Sequence, residues 1–159
     1  MNYFELFEIP VSIKIDQSKL AEKFFALQKK YHPDFYVNTT EAEQAEALEH
    51  SADANKALKI FRDEDQTIKY VLQLKGLLEE EEKYQLPPEF LMEMMELNEE
   101  LSDDSPARIS DLEQQLHTEV APIIDNYNDD TTTKAQLLQL KEYYYKKKYL
   151  QRILDRIGG

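Results

Sequence analysis

Hydrophobic residues recur at intervals of three and four positions along most of the chain, which is the period of amphipathic helices. Prolines, glycines and clustered acids interrupt this pattern and divide it into seven segments. The first helix is predicted over residues 2–8 and ends at Ile9-Pro10. The second is capped by Asp16 or Ser18. Its apolar stripe comprises Leu20, Phe24, Leu27 and Tyr31.

A third helix is predicted to begin at a cap formed by Thr39 or Thr40 and to run to about Phe61. Its predicted stripe is thin, because it consists of Ala45, Leu48, Ala52 and Asn55, followed by Leu58 or Phe61. A thin stripe permits close antiparallel approach of the second helix. The second and third helices are therefore expected to form a hairpin. A fourth helix follows the acidic stretch 63–65 and ends near Gly76.

Three more helices are predicted after the acidic run 79–82 and the rigid Pro87-Pro88 break. In the helix that starts near Phe90, Met92 and Met95 lie off the main apolar face. The next helix opens at Ser105-Pro106, and Pro122 is expected to bend or end it. Thr132 or Thr133 caps the last helix, which closes at Gly158-Gly159. Only three glycines and six prolines in 159 residues support an all-α fold.

The charge distribution divides the chain further. The net charge of -13 argues against general binding to nucleic acid or to an anionic membrane. Residues 11–32 are an exception, with five lysines against two acids. Residues 79–104 hold eleven carboxylates and one lysine, whereas 134–156 hold seven basic residues and two acids. We expect the latter two segments to attract each other.

Several function classes lack the residues they need. Without cysteine, the chain has no disulfide, no thiol nucleophile and none of the usual ligands of structural zinc or a protein-held iron-sulfur cluster. The three histidines are scattered, and no serine nucleophile motif accompanies them. We therefore expect no catalysis, no cofactor and no metal site. The absence of a signal-like N-terminus and of a long apolar run predicts a soluble cytoplasmic protein.

The stretch Tyr31-His32-Pro33-Asp34 lies where the second helix ends. Proline has no amide hydrogen and disfavours the helical conformation for the residue before it. His32 should therefore lie in a turn with its ring exposed. A rigid, exposed His-Pro-Asp triplet indicates a contact surface.

Several stretches of the sequence together resemble a known family. The order Asn2 to Phe7, then Leu27 to Asp34, then Asn55 to Phe61 resembles a J-domain. The later Phe90 to Glu93, followed by Glu96 to Leu101, is similar to the second domain of the HscB (Jac-type) co-chaperones of iron-sulfur cluster assembly. This resemblance spans nearly the whole chain.

The resemblance implies an L-shaped, all-α protein whose J-domain hairpin packs against a C-terminal three-helix bundle. The implied boundaries are a J-domain at 1–75, an acidic linker at 76–83 and a scaffold-binding bundle at 84–159. It also implies that the protein stimulates the ATPase of a DnaK-type chaperone, generally HscA. The residues that would bind this chaperone are His32, Pro33, Asp34, Lys19, Lys23, Lys29 and Lys30. Asp34 can accept a charge-assisted hydrogen bond from an arginine of the partner.

By the same resemblance, the bundle presents the iron-sulfur scaffold protein IscU to the chaperone. The matching residues combine apolar anchors with carboxylates and include an aromatic on the last helix. They are Leu91, Met92, Met95, Glu96 and Glu99, with Tyr143 or Tyr144 as the aromatic. Exposed methionines suit an adaptable interface.

Two departures from the family pattern and two other interpretations are notable. Phe35 follows the triplet where many J-domains have a basic residue, and the cysteine zinc motif of some relatives is missing. A general J-domain co-chaperone that delivers unfolded clients would share the first domain's mechanism. An acidic scaffold without any chaperone link would leave the triplet and its basic helix unexplained.

Overall fold

The computed structural model describes residues 1–158, which form seven α-helices and one short 3₁₀ helix and contain no β-strand. The predicted all-α fold is therefore confirmed. In chain order the elements are α1 (Tyr3–Phe7), α2 (Gln17–Lys30), the 3₁₀ turn (Pro33–Tyr36), α3 (Glu41–Phe61), α4 (Glu64–Leu74), α5 (Pro88–Glu99), α6 (Ser105–Asp125) and α7 (Lys134–Gly158). The predicted closing residue Gly159 lies outside the described part of the chain.

Side-chain caps set the beginnings of α2 and α3. The Asp16 carboxylate accepts hydrogen bonds from the backbone amides of Ser18 and Lys19, at 3.0 and 3.2 Å. The Thr40 hydroxyl accepts one from the amide of Glu43 at 3.2 Å. Each cap satisfies amides that have no partner within the helix. Of the alternatives that the sequence left open, Asp16 caps α2 and Thr40 caps α3.

The chain divides into two compact units, Met1–Val71 and Leu72 onward, and the division falls within α4. The sequence places this boundary later, in 76–83. In the first unit an aromatic cluster ties α1 to α3 and α4. The Phe61 ring lies 4.7 Å from that of Phe4 and 5.6 Å from that of Phe7.

The helices α2 and α3 form the predicted hairpin, but the predicted stripe on α3 is right only at its end, where Leu58 and Phe61 are buried. Ala47, Ala54 and Ala57 are buried together with Leu58 and Phe61. The predicted members Ala45, Leu48, Ala52 and Asn55 are exposed instead. Six alanines spread around α3 leave its buried face undefined in the sequence. A hydrogen bond from the Ser51 hydroxyl to the Gln28 side chain, at 2.9 Å, holds α3 against α2 in the observed register.

In the second unit, α5, α6 and α7 form the predicted three-helix bundle around one core. This core consists of Phe90, Met94, Leu97, Ile109, Leu150 and Ile153. Pro122 is accommodated inside α6, which ends three residues later, where the Asn126 amide donates to the Pro122 carbonyl at 3.1 Å. Thr133 and Gln136 cap α7 reciprocally, with bonds of 2.9 and 3.2 Å.

The acidic stretch between α4 and α5 is anchored to α7. Gly76 takes a left-handed turn at φ +71°, and Leu78 is buried. The Lys141 ammonium lies 2.8 Å from the Glu82 carboxylate. The two segments of opposite charge therefore meet, as their composition predicts. Among residues 1–158, no helix has both the length and the apolar character needed to cross a bilayer.

Candidate functional site

The His-Pro-Asp triplet forms the turn that its covalent chemistry dictates. His32 is extended, with φ -63° and ψ 135°, and Pro33 begins the 3₁₀ turn. The amide of Asp34 donates to Nδ1 of His32 at 3.2 Å. Because Nδ1 is an acceptor in this bond, the neutral imidazole carries its proton on Nε2. The turn thus offers one imidazole donor and one carboxylate acceptor to a partner.

Both polar side chains of the turn face solvent. The His32 side chain is 55% exposed and that of Asp34 is 85% exposed. Hydrogen bonds beside the turn restrain its backbone. The Tyr36 hydroxyl donates to the Lys30 carbonyl at 3.3 Å, and the side-chain amide of Gln44 donates to the Tyr36 carbonyl at 2.9 Å. The turn is therefore presented outward on a fixed support.

Three of the four predicted lysines share one face of α2. At about 100° per residue, Lys19, Lys23 and Lys30 point within about 40° of one another, and Lys29 lies about 80° to one side. Lys23 pairs with the Glu8 carboxylate at 3.6 Å, and the Lys30 ammonium lies 5.3 Å from the centre of the Tyr31 ring. We call the triplet and these four lysines the docking surface.

The predicted residues on α5 form a continuous exposed strip. Leu91 is 37% exposed, Met92 64% and Met95 59%, and both Glu96 and Glu99 are exposed. The core residues of α5 face the opposite side of the helix, toward α6 and α7. The structure therefore brings these five side chains together, and we call them the α5 strip.

The two tyrosines predicted to join the strip are inside the bundle. Tyr143 is 3% exposed and Tyr144 is 7% exposed. The half-buried Tyr149 is the ring of α7 that packs near the start of α5, because it lies 6.1 Å from the Phe90 ring and lines the same groove as Leu91. The sequence analysis missed Tyr149.

This groove has a volume of about 620 Å³ and lies between α7, the start of α5 and the segment 82–88. The rings of Tyr84 and Tyr145 stack along it with their centres 4.5 Å apart. The Tyr145 hydroxyl donates to Glu82 at 3.3 Å. Burial and the neighbouring Glu82 raise the pKa of Tyr145 to about 12, so the phenol remains a donor at neutral pH. The hydrogen bond from Lys141 lowers the pKa of Glu82.

The described part of the chain, residues 1–158, has no arrangement typical of a metal centre. Within residues 1–158, no three His, Asp or Glu side chains are grouped so that they could hold a metal ion. The two exposed surfaces are instead assembled from side chains suited to protein contacts. The fold defines an all-helical protein, with a J-type hairpin in one unit and a three-helix bundle in the other.

Comparison with known proteins identifies the family. Residues 86–158 match the model of the HSCB C-terminal oligomerisation domain. The chain is 32% identical to the co-chaperone protein HscB homolog of Haemophilus ducreyi, over 94% of this chain and 92% of that protein. It is 40% identical to the homolog of Vibrio cholerae, where the match spans 64% of this chain and 60% of the relative. The chain belongs to the HscB co-chaperone family.

Two solved structures share the fold. The chain is similar to human co-chaperone protein HscB with a TM-score of 0.77 and 24% identity, covering 99% of this chain and 81% of the human one. It is also similar to chaperone HscB from Vibrio cholerae, with a TM-score of 0.62 and 28% identity over 99% of both chains. The Haemophilus ducreyi relative and the human protein are both named as co-chaperones.

Proposed function

We propose that this protein stimulates ATP hydrolysis by a DnaK-type chaperone and delivers an IscU-type iron-sulfur scaffold to it. The observation that carries the proposal is the outward His32-Pro33-Asp34 turn beside a lysine face in an otherwise acidic chain. Membership in the HscB family supports it. The two activities are assigned to different surfaces, the docking surface and the α5 strip.

The docking surface acts on the chaperone without supplying a catalytic group. Its lysines attract an acidic patch during encounter, and this attraction weakens as salt is added. Asp34 then accepts a charge-assisted hydrogen bond from a cation of the chaperone, while Nε2 of His32 offers a donor. If these contacts are stronger in the hydrolysis-competent conformer, binding shifts the chaperone toward it.

The α5 strip holds the scaffold. Its exposed apolar surface comes from Leu91, Met92 and Met95. The negative charges of Glu96 and Glu99 border this surface. Methionine side chains adapt to irregular partner surfaces. In place of the buried Tyr143 and Tyr144, we assign the aromatic contact to Tyr149, which lines the groove that Leu91 enters.

The docking role is tested by substitutions that keep the size of the side chain. His32→Gln and Asp34→Asn should each abolish stimulation of the chaperone's ATPase in a steady-state assay, while the circular dichroism spectrum and Tm stay close to those of the parent. Glu49→Gln on the exposed part of α3 is the matched charge control and should stimulate normally. Retained stimulation by the His32 and Asp34 variants would refute the docking role.

The strip is tested by truncating its apolar anchors. Leu91→Ala combined with Met95→Ala should weaken scaffold binding in titration calorimetry and leave basal ATPase stimulation intact. Met94→Ala is the informative comparison, because this methionine is fully buried and its loss should lower stability by about 2–5 kcal/mol. If the strip variant loses stability in the same way, its side chains act as core.

The exposed methionines also favour a second candidate, delivery of unfolded clients to the chaperone. Titration with the folded scaffold and with a permanently unfolded polypeptide separates the two functions. A general co-chaperone should bind the unfolded chain at least as tightly as the scaffold. A scaffold-specific protein should bind only the folded scaffold with measurable heat.

A further inference from the structure

Two cations in the groove beside the α5 strip have no acidic partner among residues 1–158. Lys148 and Arg152 are four residues apart on α7, both are exposed, and both line the groove. No carboxylate among residues 1–158 forms an ion pair with either of them. Two other cations of the same helix are paired: Lys141 with Glu82 at 2.8 Å, and Lys146 with Glu142 at 3.5 Å. The groove therefore places two positive charges side by side in a chain of net charge -13.

The groove around these cations is held in place by its own contacts. The ion pair between Glu82 and Lys141 fixes the segment opposite α7. The stacked Tyr84 and Tyr145 rings continue this wall, with only 8° between their planes. Lys148 itself lies 6.0 Å from the centre of the Tyr145 ring. A ligand that enters therefore meets a preformed apolar surface beside two positive charges, which reduces the entropy lost on binding.

The groove is continuous with the α5 strip through Leu91, which belongs to both. A protein that covers the strip therefore extends into the groove. The two surfaces carry opposite charge, because the strip ends in Glu96 and Glu99 whereas the groove holds Lys148 and Arg152. A partner must match both signs, and opposite signs at the two ends favour one orientation over the reverse.

We propose that this groove binds an acidic segment of the scaffold protein. One carboxylate of that segment lies between Lys148 and Arg152, and a neighbouring apolar or aromatic side chain packs on Leu91, Tyr145 and Tyr149. The guanidinium of Arg152 suits bidentate recognition of a carboxylate. This inference rests on the proposed scaffold-binding function and adds the chemistry and orientation of the bound segment.

The test reverses the two charges and compares the result with an equal reversal elsewhere in the bundle. Lys148→Glu with Arg152→Glu should raise the Kd for a purified IscU-type scaffold about tenfold in titration calorimetry at about 50 mM salt, and less at about 300 mM. The control, Lys134→Glu with Arg108→Glu, makes the same change in net charge at exposed positions that do not line the groove. It should change the Kd less than twofold. Lys148→Arg should bind like the parent.

The possible outcomes separate the inference from the function on which it rests. If the parent protein does not bind the scaffold, the proposed function fails and the inference falls with it. If the parent binds and both double variants weaken binding equally, long-range charge accounts for the loss and the groove has no specific role. Unchanged binding by the groove variant also refutes the inference. A fluorescent oligonucleotide that binds the parent and not the groove variant would make the groove a nucleic-acid site and overturn it.

Discussion

At the scale of single residues, Glu8 adopts a conformation that suits glycine better. It caps the end of α1 in the left-handed region, with φ 54° and ψ 45°. A side chain with a Cβ is strained there, whereas glycine is not. Glu8→Gly should therefore raise the free energy of unfolding by about 0.5–1 kcal/mol in urea titration. The substitution also releases Lys23 from its ion pair, so chaperone stimulation should not fall.

A matched control distinguishes relief of strain from loss of charge. Glu5→Gly also replaces a glutamate by glycine, but at an exposed position inside the short helix that Glu8 ends. Glycine inside a helix is unfavourable by about 0.5–1 kcal/mol, so this variant should be less stable than the parent. If both variants changed the free energy of unfolding by the same amount in the same direction, Glu8 would not be strained.

The single residues that sequence could predict are those whose own chemistry fixes their conformation. Pro33 alone was enough to place His32 in an extended turn, and the structure has His32 at ψ 135°. The aromatic residue of the last helix that contacts the strip could not be predicted in this way, because three consecutive tyrosines followed by three lysines give no clear helical period. Only packing reveals that Tyr143 and Tyr144 face inward and that Tyr149 reaches the groove.

At the scale of elements, the buried face of α3 depends on small side chains at particular positions. Ala54 is fully buried, whereas Ala52, two residues earlier, is exposed. Ala54→Leu should lower the unfolding free energy by about 1–3 kcal/mol, because a well-packed interior cannot accept three extra carbons without shifting. Ala52→Leu should stay within about 0.5 kcal/mol of the parent. Chemical denaturation of both variants measures the difference.

If Ala52→Leu were instead the less stable variant, Ala52 would face inward, as the sequence predicted for α3. That prediction failed for a physical reason. Helix ends are set by local hydrogen bonds, so the sequence could narrow each cap to two candidates, of which the structure selects Asp16 and Thr40. The buried face of an alanine-rich helix is set by its neighbours instead. Here the Ser51 to Gln28 hydrogen bond and the burial of Phe61 select it.

At the scale of the whole molecule, the two proposed activities are assigned to different compact units. The docking surface lies entirely within residues 1–71, and the α5 strip and its groove lie entirely beyond Leu72. Substitutions in one surface should therefore leave the other activity intact, because the two sets of side chains belong to different compact units. The resemblance to the HscB family already implied this division, and the lysine-rich stretch 11–32 and the acidic run 79–82 lie in different parts of the chain.

The second unit also contains two ion pairs that make its stability depend on pH. Lys141 lowers the pKa of Glu82, and Lys75 lowers the pKa of Asp129, which also accepts a hydrogen bond from Tyr127 at 2.9 Å. A carboxyl with a lowered pKa binds protons more weakly when folded than when unfolded. Its contribution is complete above the unfolded pKa of about 4, and it is lost as pH falls through the folded pKa.

We therefore expect Glu82→Gln with Asp129→Asn to lower Tm at pH 7, with the difference from the parent narrowing steadily below about pH 4. Protonating the many other carboxylates relieves repulsion in both proteins alike, so the difference between them isolates the two pairs. Glu100→Gln with Asp103→Asn removes two exposed carboxylates that form no ion pair with any residue of the described range 1–158. Calorimetry from pH 7 to pH 3 gives the difference in Tm between each variant and the parent. If this difference narrowed as much for the control as for the paired variant, general charge repulsion would account for both and the assignment would be contradicted.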